Sequence, residues 1–205
     1  MLRTVLGAML VAVLAVTGVR ADVWSAVIAK AQSAVVYIRI EGAEQGGCTG
    51  FVINRADKYV MTAAHCVGDR LWVDHVRADV VAYDEKKDLA VLKVAELDPA
   101  RGALVLAAHD PAIREDVMSV GYGYALERPF FKTAHVSDTA VMLESGSGGP
   151  FIGLDASFTP GQSGGPVLNA AGDVVAIVQL ADGGTLGLGV GADLIRVRMG
   201  RFFGR

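Results

Sequence analysis

The chain has 205 residues, 52% hydrophobic and 20% charged, with a formal net charge of −3. That is room for one domain or one bilobal unit with a substantial core, and the mildly acidic balance argues against nucleic acid or an anionic surface as partner. Two cysteines and four scattered histidines are a poor supply of ligands for a metal site, and no cofactor is expected.

Residues 1–21 read as a secretory leader. Met1-Leu2-Arg3 opens with positive charge, Thr4 to Gly18 is almost wholly apolar, and Val19-Arg20-Ala21 puts small residues at −3 and −1 of a cut before Asp22. The rival reading is a retained anchor, but the apolar run falls short of the roughly 20 residues that a bilayer span needs. No later segment could span a membrane. Cleavage removes Arg3 and Arg20 and no acidic residue, moving the net charge from −3 to −5. In an exported chain the pair Cys48 and Cys66 reads as a disulfide whose loop closure contributes about 3 kcal/mol. The alternative is two buried free thiols.

Val23, Val27, Ile28 and Ala31 fall near helical spacing, so residues 23–32 are expected to form a helix. From Ala34 the texture changes to short β-branched runs broken by Gly, Asn and Asp. Candidate strands are Ala34–Ile40, Thr49–Ile53, Tyr59–Ala63, Leu71–His75, Asp79–Tyr83 and Leu89–Val94. A linker-like stretch covers Asp98–Asp110. Then come Asp116–Gly121, Phe131–Val136, Ala140–Glu144, Gly149–Leu154, Pro166–Asn169, Val174–Leu180 and Thr185–Gly191, and a closing helix over Ala192–Met199. Many short strands with twenty-five glycines indicate an all-β sandwich or a pair of barrels. A parallel α/β sheet would need regular intervening helices, which the pattern lacks.

Three segments carry chemistry. Gly161-Gln162-Ser163-Gly164-Gly165-Pro166 presents a serine between glycines, Thr62-Ala63-Ala64-His65-Cys66 a histidine after a strand, and Asp88 opens the apolar run Asp88–Val94. A serine hydroxyl becomes a nucleophile when an imidazole takes its proton, and the imidazole needs a carboxylate to hold its tautomer. Gly161 lets its own N–H and that of Ser163 point at one spot, an oxyanion hole. Ser147, in Ser145-Gly146-Ser147-Gly148-Gly149-Pro150, has serine rather than glycine two residues upstream, so the same turn is less accessible. Ser163 is therefore the candidate nucleophile, and Ser147 is expected in a loop near the site. Asp84 and Glu85 share a charged turn with Lys86 and Lys87 and read as a solvated hairpin tip. His75, His109 and His135 lack a setting comparable to that of His65.

Thr-Ala-Ala-His-Cys, Asp-Leu-Ala-Val-Leu and Gly-Gln-Ser-Gly-Gly-Pro resemble the trypsin-like (chymotrypsin-fold) serine proteases, and the HtrA-type protease domain in particular. Asp155–Pro160 and Leu188–Ile195 support the narrower match, and the resemblance covers about residues 23–199. It implies two perpendicular six-stranded antiparallel β-barrels, one over about 34–97 and one over about 112–199, with the site in the cleft between them. By motif position it implies His65 as general base, Asp88 as orienting acid, Ser163 as nucleophile, and the Gly161 and Ser163 N–H groups as oxyanion hole.

The departures carry expectations of their own. Cys48 and Cys66 resemble the disulfide beside the histidine in animal-type trypsins, which many HtrA-type domains lack. The chain ends at Arg205, without room for the PDZ domain usual in HtrA proteins, so PDZ-dependent regulation is not expected. Gln162 stands where trypsins carry the aspartate that pairs with a new N-terminus, and no Ile-Val-Gly-Gly start is present. Ser157, at the pocket-base position, carries no charge; with Leu188 and Val190 nearby, small or medium apolar P1 side chains are expected. The three segments in the order His, Asp, Ser, with the leader, point to an exported endopeptidase acting on polypeptides. The other readings are a peptide-binding module of the same fold without catalysis, or an esterase or single-partner protease using the same site.

Overall fold

The chain folds, in a computed structural model, into two closed six-stranded barrels, described over residues 23–42, 47–143, 148–181 and 185–204. The expected leader and Ser145–Ser147 lie outside the described residues. Helix α1 (Val23–Ala34) leads into the first barrel, made of β1 (Val35–Ile40), β2 (Cys48–Asn54), β3 (Tyr59–Thr62), β4 (Leu71–Val73), β5 (Val76–Asp84) and β6 (Leu89–Val94). The second contains β7 (Asp116–Gly121), β8 (Phe130–Val141), β9 (Phe151–Leu154), β10 (Pro166–Leu168), β11 (Val174–Ala181) and β12 (Gly187–Gly191), and α2 (Ala192–Met199) follows. Neighbours run β1-β2-β3-β6-β5-β4 and β10-β11-β12-β9-β8-β7, antiparallel throughout. The all-β double barrel expected from the resemblance is the fold observed.

Several strands of the first barrel are apolar on both faces, and the two faces have different destinations. Successive side chains in a strand point to opposite sides. Val36, Ile38, Val52, Val60, Leu92 and Val94 form one cluster with the cysteine pair, while Val35, Phe51, Ile53, Met61, Leu89 and Val91 join the core of the second barrel and α1. A barrel filled inside and packed outside reads as near-continuous hydrophobic runs, which is why β2 and β6 do not alternate with polar residues.

Three expectations about elements are corrected. Phe131–Val136 and the start of the expected Ala140–Glu144 strand, Ala140 and Val141, belong to one strand, β8: its register shifts between Val136 and Asp138 and again between Asp138 and Val141, so the polar stretch between them is a pair of irregularities in a continuous strand rather than a turn. Leu71–His75 stops at Val73, because Asp74 adopts φ +53 and turns the chain into β5. The linker is not loose. The Leu104 N–H donates to Val52 O (2.9 Å), Val174 N–H to Val105 O (2.8 Å) and Ala107 N–H to Val174 O (2.9 Å), so the segment is laced to both barrels.

Phe51 is fully buried where the first barrel meets the second. Phe51→Ala is expected to cost about 3–5 kcal/mol, measured by denaturant unfolding, with no second transition for a surviving barrel.

Candidate active site

His65 lies in the short helical turn Ala64–Cys66 after β3, and Asp88 immediately precedes β6, so both belong to the first barrel; Ser163 precedes β10 of the second. Strands β3 and β6 are paired from Tyr59↔Lys93 to Thr62↔Ala90, which brings His65 and Asp88 to the same end of one ladder. The Asp88 carboxylate grips His65 twice. Oδ1 accepts from the His65 backbone N–H and Oδ2 meets ring Nδ1, both at 2.7 Å. With Nδ1–H held by a carboxylate, Nε2 carries the lone pair and is free to accept a proton.

Asp88 adopts φ +52, a left-handed conformation unfavourable for a residue with Cβ. Gln179 on β11 supports it: its Nε2 donates to the carbonyls of Lys87 (3.1 Å) and Asp88 (2.7 Å). The Gln179 backbone carbonyl in turn accepts from Ser163 Oγ (3.3 Å). One residue of the second barrel therefore contacts both the acid's backbone and the serine hydroxyl. In this conformation the Ser163 hydroxyl is turned to Gln179 O. Nothing in the local sequence marks Gln179; its position in β11 opposite the Asp88 turn is purely tertiary.

Thr49, in β2, holds the Ser163 segment against the first barrel. Its N–H donates to Ser163 O (2.9 Å), its Oγ1 donates to Gly161 O (2.7 Å) and accepts from the Tyr122 N–H (2.8 Å), and its carbonyl accepts from Thr62 Oγ1 (2.8 Å). Gly164, at φ +82, sits so close that a Cβ would collide with Thr49 O and stand 2.8 Å from Ala63 N, which explains the glycine at that position. Pro160 O accepts from the Tyr124 N–H (2.8 Å) and Gln162 O from the Gly165 N–H (2.9 Å). Each anchored carbonyl turns the N–H of the next residue to the opposite side of its trans peptide. Those are the Gly161 and Ser163 N–H groups, and among the described residues neither donates to a protein acceptor.

Cys48 and Cys66 are bonded, with Cα atoms 5.9 Å apart. Their sulfurs cluster with a ring nitrogen of His65, but disulfide sulfurs are not thiolate ligands. Cys66 Sγ also lies 3.7 Å from Ser163 O, so the staple touches the segments of both His65 and Ser163. Ser157 is half-buried, six residues before Ser163, and Lys132 from β8 donates to its carbonyl (2.7 Å) and Oγ (3.3 Å). Leu188 and Val190 are 1% and 0% exposed, in the core, and leave no surface to line a pocket.

Two readings of charged residues are corrected. Asp84 is not a solvated tip: its side chain is 18% exposed, accepts from the Lys87 N–H (3.1 Å) and pairs with Arg198 (3.5 Å). Lys87 reaches across to the carbonyls of Gly148 (3.1 Å) and Gly149 (2.8 Å). His135 does have a setting like that of His65. Asp155 accepts from its backbone N–H (2.6 Å) and meets its Nδ1 (2.9 Å), while Asp116 meets Nε2 (3.1 Å). Both ring nitrogens of His135 thus meet carboxylates, whereas at His65 only Nδ1 does. The His135 backbone N–H, and then its ring, hold the Asp155 carboxyl below the ordinary value of 3.8.

Two closed antiparallel barrels, with a carboxylate-oriented histidine on one and a serine in a glycine turn on the other, define the chymotrypsin-like class. The chain belongs to the trypsin-like peptidase domain family, whose profile matches residues 48–177. A "Probable periplasmic serine endoprotease DegP-like" from Hahella chejuensis is 32% identical over 151 residues, covering 68% of this chain and 31% of that protein. The mitochondrial serine protease HTRA2 of Bos taurus is 30% identical over 171 residues, covering 74% and 37%. This chain thus spans about a third of the length of the curated relatives it matches. Among solved structures, the active form of the Rv3671c protease from M. tuberculosis superposes with TM-score 0.71 at 26% identity, covering 87% of this chain and 85% of that one.

Thr49→Val removes an acceptor from Tyr122 N–H and a donor from Gly161 O inside a buried seam. It is expected to lose about 1–3 kcal/mol in denaturant unfolding. Asp155 has a lowered folded pKa, so its contribution to stability is present above 3.8 and lost as pH falls below that value. Replacing His135 with Gln should shrink this acid-dependent loss, seen as a smaller difference in unfolding midpoint between neutral and acidic buffer.

Proposed function

We propose that this chain is an exported serine endopeptidase that hydrolyses peptide bonds through an acyl-enzyme on Ser163. The observation that carries this is the two-point grip of Asp88 on His65, at 2.7 Å to both the backbone N–H and Nδ1, opposite a serine whose segment is fixed by Thr49. Ser163 Oγ attacks the substrate carbonyl carbon while His65 Nε2 takes its proton, and Asp88 stabilises the resulting imidazolium. The oxyanion is received by the Gly161 and Ser163 N–H groups, each such donor worth about 10²–10³ in rate. Collapse breaks the C–N bond, and the leaving amine takes the proton from His65. Water then attacks the ester with His65 again as base, releasing the acid and restoring Ser163. No cofactor or metal takes part in this scheme.

Export is supported by the leader-like start of the sequence and by relatives named as periplasmic, which favour the periplasm or secretion. Among the described residues, no helix is long and apolar enough to cross a membrane. The disulfide fits the same oxidising compartment. Ser157 is read as the floor of the pocket that receives the substrate's P1 side chain. A peptide-binding module without catalysis is the second reading, favoured by the Ser163 hydroxyl facing Gln179 O in this conformation.

A fluorophosphonate probe separates the two. The wild type should label covalently and Ser163→Ala should not; equal labelling of both would remove Ser163 from its role. Asp88→Asn is expected to lower kcat by about 10⁴. A wild type that binds peptides without labelling or hydrolysing casein would leave the binding module. Cys66→Ser, measured in oxidising buffer, should lower activity more than it lowers Tm, because the staple adjoins His65 and Ser163.

A further inference from the structure

Lys132 is a half-buried cation of the second barrel with neutral partners. Strand alternation puts it on the same face of β8 as Ala134 and Val136, which are 6% and 1% exposed, while Thr133 and His135 face solvent. It is itself half-buried and sits opposite the fully buried Ser119. Its ammonium ends on Ser157, at 2.7 Å from the carbonyl and 3.3 Å from Oγ. An ammonium has three donors, so one remains. Among the described residues no carboxylate lies within ion-pair distance of it. A partly desolvated charge without a counter-charge gains from a partner that brings one.

The segment that leads from Ser157 to the nucleophile has two distinct sides. Phe158 and Gln162 are sealed, Phe158 against β12, where a Cβ on Gly187 would meet its ring at 2.5 Å. Ser157, Thr159, Gly161 and Ser163 remain partly accessible. The Gln162 side chain fixes this arrangement by accepting from the Thr159 N–H (2.8 Å) and Oγ1 (3.2 Å). Partly accessible residues thus recur along this segment from Ser163 back to Ser157, whose carbonyl and Oγ meet the Lys132 ammonium.

We infer that Lys132 determines specificity, and that its ammonium receives the carboxylate of an acidic P1 side chain, Glu or Asp. This rests on the proposed protease reading, with Ser157 as pocket floor. It replaces the apolar P1 expectation, because the charge absent from Ser157 is delivered by its neighbour and because Leu188 and Val190 are buried elsewhere. A substrate carboxylate supplies the missing counter-charge and the missing acceptor together, through charge-assisted hydrogen bonds. Apolar P1 groups would bury the ammonium with neither.

The test uses the mature protein and peptide aminoalkylphosphonates that differ only in P1, each reacting covalently with an activated serine. The P1-Glu reagent should inactivate on the order of 100-fold faster than the P1-Leu reagent. Lys132→Glu should invert the order in favour of P1-Lys, and Lys132→Arg should keep the acidic preference. Fastest inactivation by P1-Leu or P1-Val in the wild type would overturn the inference, and this needs no variant to fold. So would labelling by a generic fluorophosphonate with no response to P1. A wild type inert to both reagents would instead remove the protease reading beneath it.

Discussion

The structure depends on one seam residue satisfying two barrels at once. Thr49 uses its N–H, hydroxyl and carbonyl to bind Ser163, Gly161, Tyr122 and Thr62. A serine has no place relative to a histidine on another barrel unless something fixes the distance between the barrels. Hydrophobic burial is non-directional and supplies the adhesion; these directional bonds supply the registry. Gln179 acts in the complementary direction, reaching out of the second barrel to hold the backbone of Asp88.

The legible part of the site is its local chemistry. His65, Asp88 and Ser163 can be read because each sits in a short stretch whose neighbours have a definite physical role, with a strand before the histidine, an apolar run after the aspartate and glycines around the serine. The fold class follows from short β-branched runs and turn residues. Less legible is anything set by strand pairing across long separations. Lys132 and Ser157 are 25 residues apart, and only the barrel's closure brings them together. The bulged strand β8 reads as two because Ser137-Asp138-Thr139 looks like a turn when its partner strand is unknown.

The two histidine–carboxylate pairs make a useful contrast. His65 and His135 share the same grip, a carboxylate bridging backbone N–H and Nδ1. At His135 the remaining nitrogen is also spoken for by Asp116, whereas at His65 only one ring nitrogen is held by a carboxylate. Orientation by an acid is therefore a structural device that this chain uses twice. What distinguishes the two is the neighbour on the far side of the ring, a point that no motif around His135 displays.

The double-faced first barrel has a consequence for the order in which the molecule comes into being. Phe51, Ile53, Met61 and Val91 lie on its outer wall, in contact with the other barrel's core. Before the second half of the chain has folded, that wall is a greasy surface looking for cover, and Ser163 is not yet opposite His65. Docking of the two barrels both covers that wall and brings the Ser163 segment to the first barrel.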